Sequence, residues 1–217
     1  MARVARILQS RFRVLRYDRR GYGRSFEHPG PFAVADNVED LMALLAGRSA
    51  VLVGHSYGGN VALAAAARLG ASVSGVGVYE TPLSWQPWWP GTTAGGAAAA
   101  SSTGEAAEAF MRRLIGDDGW DSLPERTRAA RRREGTALRA ELTSLREAAP
   151  WHPDGISVPV VCAHGSRGSA HHARGMDWLS RELPNAQLQV IDGAGHGAPN
   201  SHPADFVSQV VLPLLRG

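Results

Sequence analysis

The chain has 217 residues, 44% hydrophobic and 20% charged, a composition that suits one folded domain with room for an inserted subdomain and excludes intrinsic disorder. Its single cysteine, Cys162, excludes a disulfide framework and a CxxC metal or redox site, and no apolar run approaches the ~18 residues that a membrane span requires. The formal charge is +3, every one of the 23 basic residues is arginine and 20 acidic residues are interleaved with them, so no nucleic-acid or membrane partner is expected.

Residues 1–16 carry Arg3, Arg6, Arg11, Arg13 and Arg16 with no acid, a bias shared with organellar leaders. The run passes without a break into Phe12–Tyr17, which reads as a strand, so no removable leader is expected and the default compartment is the cytoplasm. Four further apolar runs read as buried strands: Ala50–Val53, Val73–Tyr79, Val158–Ala163 and Leu188–Ile191. Helical patterns lie at Ala33–Ala46, Gly58–Leu69, His172–Leu183 and Ala204–Leu215. Strands that are apolar throughout and alternate with helices predict an α/β fold, its mostly parallel sheet flanked by helices.

Residues 82–151 break this rhythm. They open on Trp85, Pro87, Trp88, Trp89 and Pro90, pass through a Gly/Ala/Ser stretch from Gly91 to Gly104 that reads as flexible, and continue as helices at Glu105–Leu114, Pro124–Arg133 and Gly135–Ala148. An insertion this long between core strands predicts a helical cap over residues 82–151, with residues 1–81 and 152–217 forming the core. Trp85, Trp88 and Trp89 are candidates both for packing and for lining an apolar substrate pocket.

Chemistry concentrates in Gly54-His55-Ser56-Tyr57-Gly58-Gly59, a GxSxG pattern between a buried strand and a helix. That context predicts a nucleophile elbow, with Gly54 and Gly58 small enough for close packing and Ser56 facing the positive end of the following helix. A serine needs a base. His196, in Gly193-Ala194-Gly195-His196-Gly197 after the last strand, is the candidate; His55 reads as structural and His202 as a cap or surface residue.

Together with Tyr17-Asp18-Arg19-Arg20-Gly21-Tyr22-Gly23-Arg24-Ser25, these segments resemble the α/β-hydrolase superfamily, near its small-molecule esterase and lactonase-like members. The resemblance runs from about residue 11 to the end, apart from the cap. It implies an α/β-hydrolase fold, Ser56 as nucleophile, His196 as base, the Tyr57 backbone N–H as an oxyanion donor and Asp18 as a loop-shaping residue. No metal or organic cofactor is implied. The acid departs from the family pattern: its common position after the penultimate strand is Gly168, whereas the alternative position, at the end of the preceding core strand, holds Glu80. Glu80 is the candidate acid; Asp177, Asp192, no acid at all, or a structural Glu80 remain open. The family's first strands and a His-Gly loop carrying the second oxyanion donor have no counterpart before Met1. The expectation is therefore a fragment or a weakened relative, in which Phe12–Tyr17 either pairs with Ala50–Val53 or is poorly anchored.

The function expected is a serine hydrolase acting on small carboxylic esters, thioesters or lactones through an acyl-enzyme. The alternatives are a non-catalytic or weakened ligand-binding protein of the same fold and, more remotely, an arginine-driven nucleic-acid binder.

Overall fold

A computed structural model describes residues 1–215. In chain order its principal elements are α1 (Ala2–Leu8), α2 (Val34–Leu45), β1 (Ala50–His55), α3 (Tyr57–Leu69), β2 (Val73–Tyr79), α4 (Ala94–Ala100) and α5 (Ala106–Ile115). They continue with α6 (Asp117–Asp121), α7 (Glu125–Arg133), α8 (Gly135–Glu147), β3 (Val160–Gly165), α9 (Ala170–Glu182), β4 (Ala186–Ile191), α10 (Ala198–Ser201) and α11 (Pro203–Phe206). Internal contacts divide the chain into two units: Met1–Arg16 with Val38–Leu83 and the residues from Pro150 onward, and Tyr17–Asn37 with Ser84–Ala149. No helix of the described residues is long and apolar enough to cross a membrane.

The first unit holds a parallel sheet in the order β1-β2-β3-β4. Val73, Val76, Val78, Val160 and Val161 are all buried, which is why these strands lack the apolar–polar alternation of a sheet wet on one face. Tyr79, Val161, Ala163 and Ile191 cluster with Phe206, Val207, Val210 and Val211, and Val4 of α1 joins them. A Cβ on Gly77 would lie 3.0 Å from Val210 Cγ1, so the bare backbone of β2 lets the C-terminal segment pack closely. That segment is not the single helix expected over Ala204–Leu215. After α11 it widens into a π-helical stretch, Val207–Val211, and tightens into a 3₁₀ turn, Leu212–Leu215. Pro213 has no N–H for an α-ladder, and its ring crowds the carbonyl four residues back.

The expected strand Phe12–Tyr17 does not form. The segment belongs to no ladder among the described residues, it does not pair with β1, and Val14 and Leu15 are 37% and 54% exposed. Strand propensity yields a strand only where a neighbour takes up the backbone groups and covers the apolar face.

The second unit is helical. Arg19 Nη2 pairs with Glu141 Oε2 of α8 at 2.8 Å, and Tyr22 Oη donates to the same oxygen at 2.6 Å. The Gly23 N–H donates to Glu134 Oε1 at 3.1 Å, and Gly21, at φ +79°, lies where a Cβ would come within 2.4 Å of Ala137 Cβ. These contacts join Tyr17–Asn37 to the helices. Asp18 shapes its own loop by accepting from the Arg24 N–H at 3.2 Å. The stretch expected to be flexible contains α4, since an alanine run has high helix propensity and Thr93 Oγ1 accepts the Gly96 N–H at 3.2 Å. Trp120 is fully buried, Trp89 is buried with its ring 5.9 Å from that of Trp88, and Trp85 and Trp88 are half-buried.

Candidate active site

Parallel strands deliver their C-terminal ends to one edge, and the reactive side chains of the first unit follow those ends. Ser56 follows β1, Glu80 follows β2, His164 and Gly165 close β3, and the His196 loop follows β4. Ser56 has φ 54° and ψ −129° and immediately precedes α3, so it stands at the N-terminus of a 13-residue helix. Its N–H donates to the Tyr79 carbonyl at 2.9 Å. A Cβ on Gly54 would lie 2.3 Å from Gly58 O, and one on Gly59 would lie 1.8 Å from Thr81 Oγ1, whereas one on Gly58 would meet nothing within 4 Å. Close packing therefore requires Gly54 and Gly59; Gly58, which the sequence pattern singled out, has open space.

Glu80 is the second strained residue at this sheet edge, at φ 46°, and its N–H donates to Ala163 O at 2.9 Å. Such a left-handed conformation costs roughly 1–3 kcal/mol in a non-glycine residue. It is fully buried. Its Oε1 accepts the Gly165 N–H at 3.1 Å, and its Oε2 lies 2.7 Å from His196 Nδ1. An ionised carboxylate only accepts, so His196 carries its proton on Nδ1 and keeps Nε2 as a lone-pair acceptor.

The His196 loop is pinned from three elements. Tyr79 Oη donates to Gly195 O at 2.8 Å, His55 Nε2 lies 2.8 Å from His196 O, and the Arg167 N–H donates to Ala194 O at 2.9 Å. Because a carbonyl cannot donate, His55 holds its proton on Nε2. Burial, then the His196 charge, push its pKa down to about 3, which keeps the ring neutral. The structure thus brings Glu80 and His196 into contact, and Ser56 directly follows His55, whose ring lies 4.6 Å from that of His196. Trp85, Trp88 and Trp89 belong to the helical unit.

The other acids are engaged elsewhere. Asp192 accepts from Ser166 Oγ at 2.9 Å, and Asp177 pairs with Arg181 along α9. Gly168 explains itself sterically: a Cβ there would lie 2.2 Å from Glu80 Oε1, so the space is taken by the Glu80 carboxylate.

Sequence reasoning missed His172. It is in the first turn of α9, with Nδ1 3.3 Å from Glu80 Oε2 and its ring stacked on His196 at 4.9 Å and 12°. Only the His171-His172 doublet seven residues after His164 hinted at it, and no motif includes that doublet. Glu80, His172 and His196 offer three ligand-type atoms within 4.8 Å of one another. Near-parallel stacked rings do not converge their in-plane lone pairs on one point, and the His196 Nδ1 proton is committed to Glu80. The trio fits one hydrogen-bonded pair, Glu80 and His196, with an imidazole stacked on it, better than a metal's coordination shell. Cys162 is buried and its thiol is pushed up to about 12 by desolvation, so it offers no nucleophile.

A sequence profile of the alpha/beta hydrolase family matches residues 1–210. The chain belongs to the alpha/beta hydrolase family. Among solved structures, this chain is similar to a thermophilic esterase from Thermogutta terrifontis, at 26% identity and a TM-score of 0.73 over 99% of this chain and 84% of that one. It is equally similar to an enol-lactonase from Burkholderia xenovorans, at 25% identity and a TM-score of 0.73 over 100% of this chain and 85% of that one. A curated relative, the pimeloyl-[acyl-carrier protein] methyl ester esterase of Aromatoleum aromaticum, is 29% identical over 105 residues, 41% of this chain and 42% of the relative. The match therefore spans less than half the length of that relative.

Proposed function

We propose that this alpha/beta hydrolase is a serine hydrolase of small carboxylic esters, thioesters or lactones, with Ser56 as nucleophile, His196 as general base and Glu80 as the acid that orients it. The observation that carries the reading is the 2.7 Å contact between Glu80 Oε2 and His196 Nδ1, on the sheet edge that also holds the strained Ser56. In this reading His196 Nε2 takes the Ser56 hydroxyl proton as Oγ attacks the substrate carbonyl. The tetrahedral oxyanion collects at the N-terminus of α3, where the Tyr57 N–H donates to it. His196 then gives its proton to the leaving alkoxide or thiolate. Water then attacks the acyl-enzyme as His196 takes its proton, and His196 returns that proton to Ser56 Oγ as the acyl bond breaks. Glu80 stays ionised and offsets the imidazolium in each half. The likeness to an esterase and an enol-lactonase supports carbonyl–oxygen bond cleavage as the reaction class.

The test is Ser56→Ala with an activated aryl ester, together with fluorophosphonate labelling of the unmodified protein. A loss of about 10⁴-fold or more in kcat, with labelling at Ser56 alone, is expected. Retained turnover by the alanine variant would remove Ser56 from the reaction.

A further inference from the structure

We propose that His55 and Tyr79 are positioning residues for this reaction, which set the His196 ring by gripping the backbone on either side of it. The inference rests on the serine-hydrolase reading but can be tested apart from it. Its basis is a pair of hydrogen bonds that the nucleophile, base and acid do not require. Tyr79 Oη, at the end of β2, donates to Gly195 O at 2.8 Å, and His55 Nε2–H, at the end of β1, donates to His196 O at 2.8 Å. Gly195 O belongs to the peptide plane before the His196 Cα, and His196 O to the plane after it. Two planes that meet at one Cα fix its φ and ψ, and with them the direction of the Cα–Cβ bond. Glu80 Oε2 holds the other end of the same side chain, 2.7 Å from Nδ1. Held at its root and at Nδ1, the ring keeps one direction for Nε2.

The glycines that flank His196 leave its backbone open: a Cβ on Gly197 would meet nothing within 4 Å, and one on Gly195 would meet only Arg167 O, at 3.7 Å. The local bond is a turn, in which the Ala198 N–H donates to the same Gly195 O at 3.1 Å. A turn closes the loop on itself without tying His196 to the sheet. The two side chains make that tie, and they are register partners across β1 and β2, so both donors ride on paired strands. Tyr79 is fully buried, and burial first, then the Glu80 charge, raise its pKa, so the phenol keeps its proton. That one proton has two acceptors beside it, Gly195 O and the Glu80 carboxylate, and the 2.8 Å bond is the one to Gly195 O. The neutral His55 ring donates without setting a second cation against the imidazolium that His196 becomes.

The variants separate this role from space filling. Tyr79→Phe deletes one oxygen, keeps the ring that packs on Phe206 and leaves Gly195 O its bond from the Ala198 N–H. His55→Gln keeps an N–H near the place of Nε2, whereas His55→Leu has none. The expected result is a fall in kcat on the order of tenfold at unchanged KM in Tyr79→Phe and in His55→Leu, with most of it regained in His55→Gln. An unchanged kcat in Tyr79→Phe, or equal losses in the two His55 variants, would overturn the proposal. A readout without turnover is the downfield proton resonance of His196 Nδ1–H in the hydrogen bond to Glu80, recorded in a Ser56→Ala background. A base with a loosened root lengthens that bond, so the resonance should broaden and move upfield in Tyr79→Phe and His55→Leu and return in His55→Gln. An unmoved resonance refutes the clamp whatever the fate of the esterase reading. A downfield move in Tyr79→Phe refutes it too, since the hydroxyl would then have been donating to Glu80, whose carboxylate accepts more strongly from His196 once released. If His55→Leu does not fold, Tyr79→Phe decides by the same two readouts.

Discussion

The most deeply buried carboxylate of each unit among the described residues is Glu80 at the sheet edge in one and Glu141 in α8 in the other, at 0% and 1% exposure, yet their partners differ in kind. Glu141 faces the two-pronged Arg19 guanidinium and the Tyr22 hydroxyl, whose charge states do not change at any working pH. Such a pair is architecture: it fastens the Tyr17–Asn37 segment to α8. Glu80 faces a peptide N–H, the Tyr79 hydroxyl and two imidazoles, and imidazole is the one side-chain type whose charge ordinarily changes near neutral pH. A carboxylate placed there can stabilise a charge that exists during only part of a reaction cycle. Burial by itself does not single out a carboxylate for proton-transfer chemistry; our proposal that Glu80 is the acid rests on the chemistry of its partners.

The largest effect expected from this contrast is on turnover. Glu80→Gln places an amide beside His196 Nδ1, favours the wrong imidazole tautomer and removes the counter-charge for the imidazolium. An aryl-ester assay should show kcat lowered about 10³–10⁴-fold. The melting temperature should move little, because the amide oxygen can still accept the Gly165 N–H. A kcat within tenfold of the unmodified protein would make Glu80 another structural carboxylate and erase the distinction. Arg19→Ala tests the opposite arm. It leaves Glu141 buried and charged without its guanidinium, a change worth about 3 kcal/mol or more of stability. Thermal unfolding should fall by about 10 °C, and replacing both partners, as in Arg19→Met with Glu141→Leu, should regain part of it. If Arg19→Ala melts with the parent, the Glu141 pair is not the fastening described.

The parts of this arrangement that were legible in the sequence are those fixed by local pattern. Apart from the exposed Ser74, Val73–Tyr79 is buried on both faces, and its apolar and glycine residues mark the strand. Ser56, Glu80 and His196 stand at strand ends, where a reading of strands and loops puts them. What stayed hidden depends on the third dimension. Phe12–Tyr17 has strand-like residues but no ladder, and nothing local to it says whether a neighbour is present. The tie from Arg19 to Glu141 spans 122 residues of sequence. Gly59, and not Gly58, is the glycine that Thr81 crowds, a matter of which way a helix turns. His172 carries no motif, and its significance comes from lying beside a carboxylate 92 positions away in the chain (172 − 80).

The contrast between fixed and variable charge also predicts how each partner set responds to acid. His55 and His172 have pKa values of about 3 and about 2 in the folded chain, against an ordinary value of 6.5. Between those limits the unfolded chain binds a proton at each position and the folded chain does not. Stability from these groups is therefore complete above pH 6.5 and is lost as pH falls below it, by about 1.4 kcal/mol per pH unit for each histidine. From pH 7 to pH 5 the loss is about 2 kcal/mol for each. His172→Gln removes one such group while leaving the arginine-paired carboxylates untouched. Urea unfolding at the two pH values should thus show the variant losing about 2 kcal/mol less than the parent. Equal losses would mean that His172 takes up a proton inside the folded protein, which would place a second cation beside Glu80 and make the sheet-edge carboxylate resemble Glu141 after all.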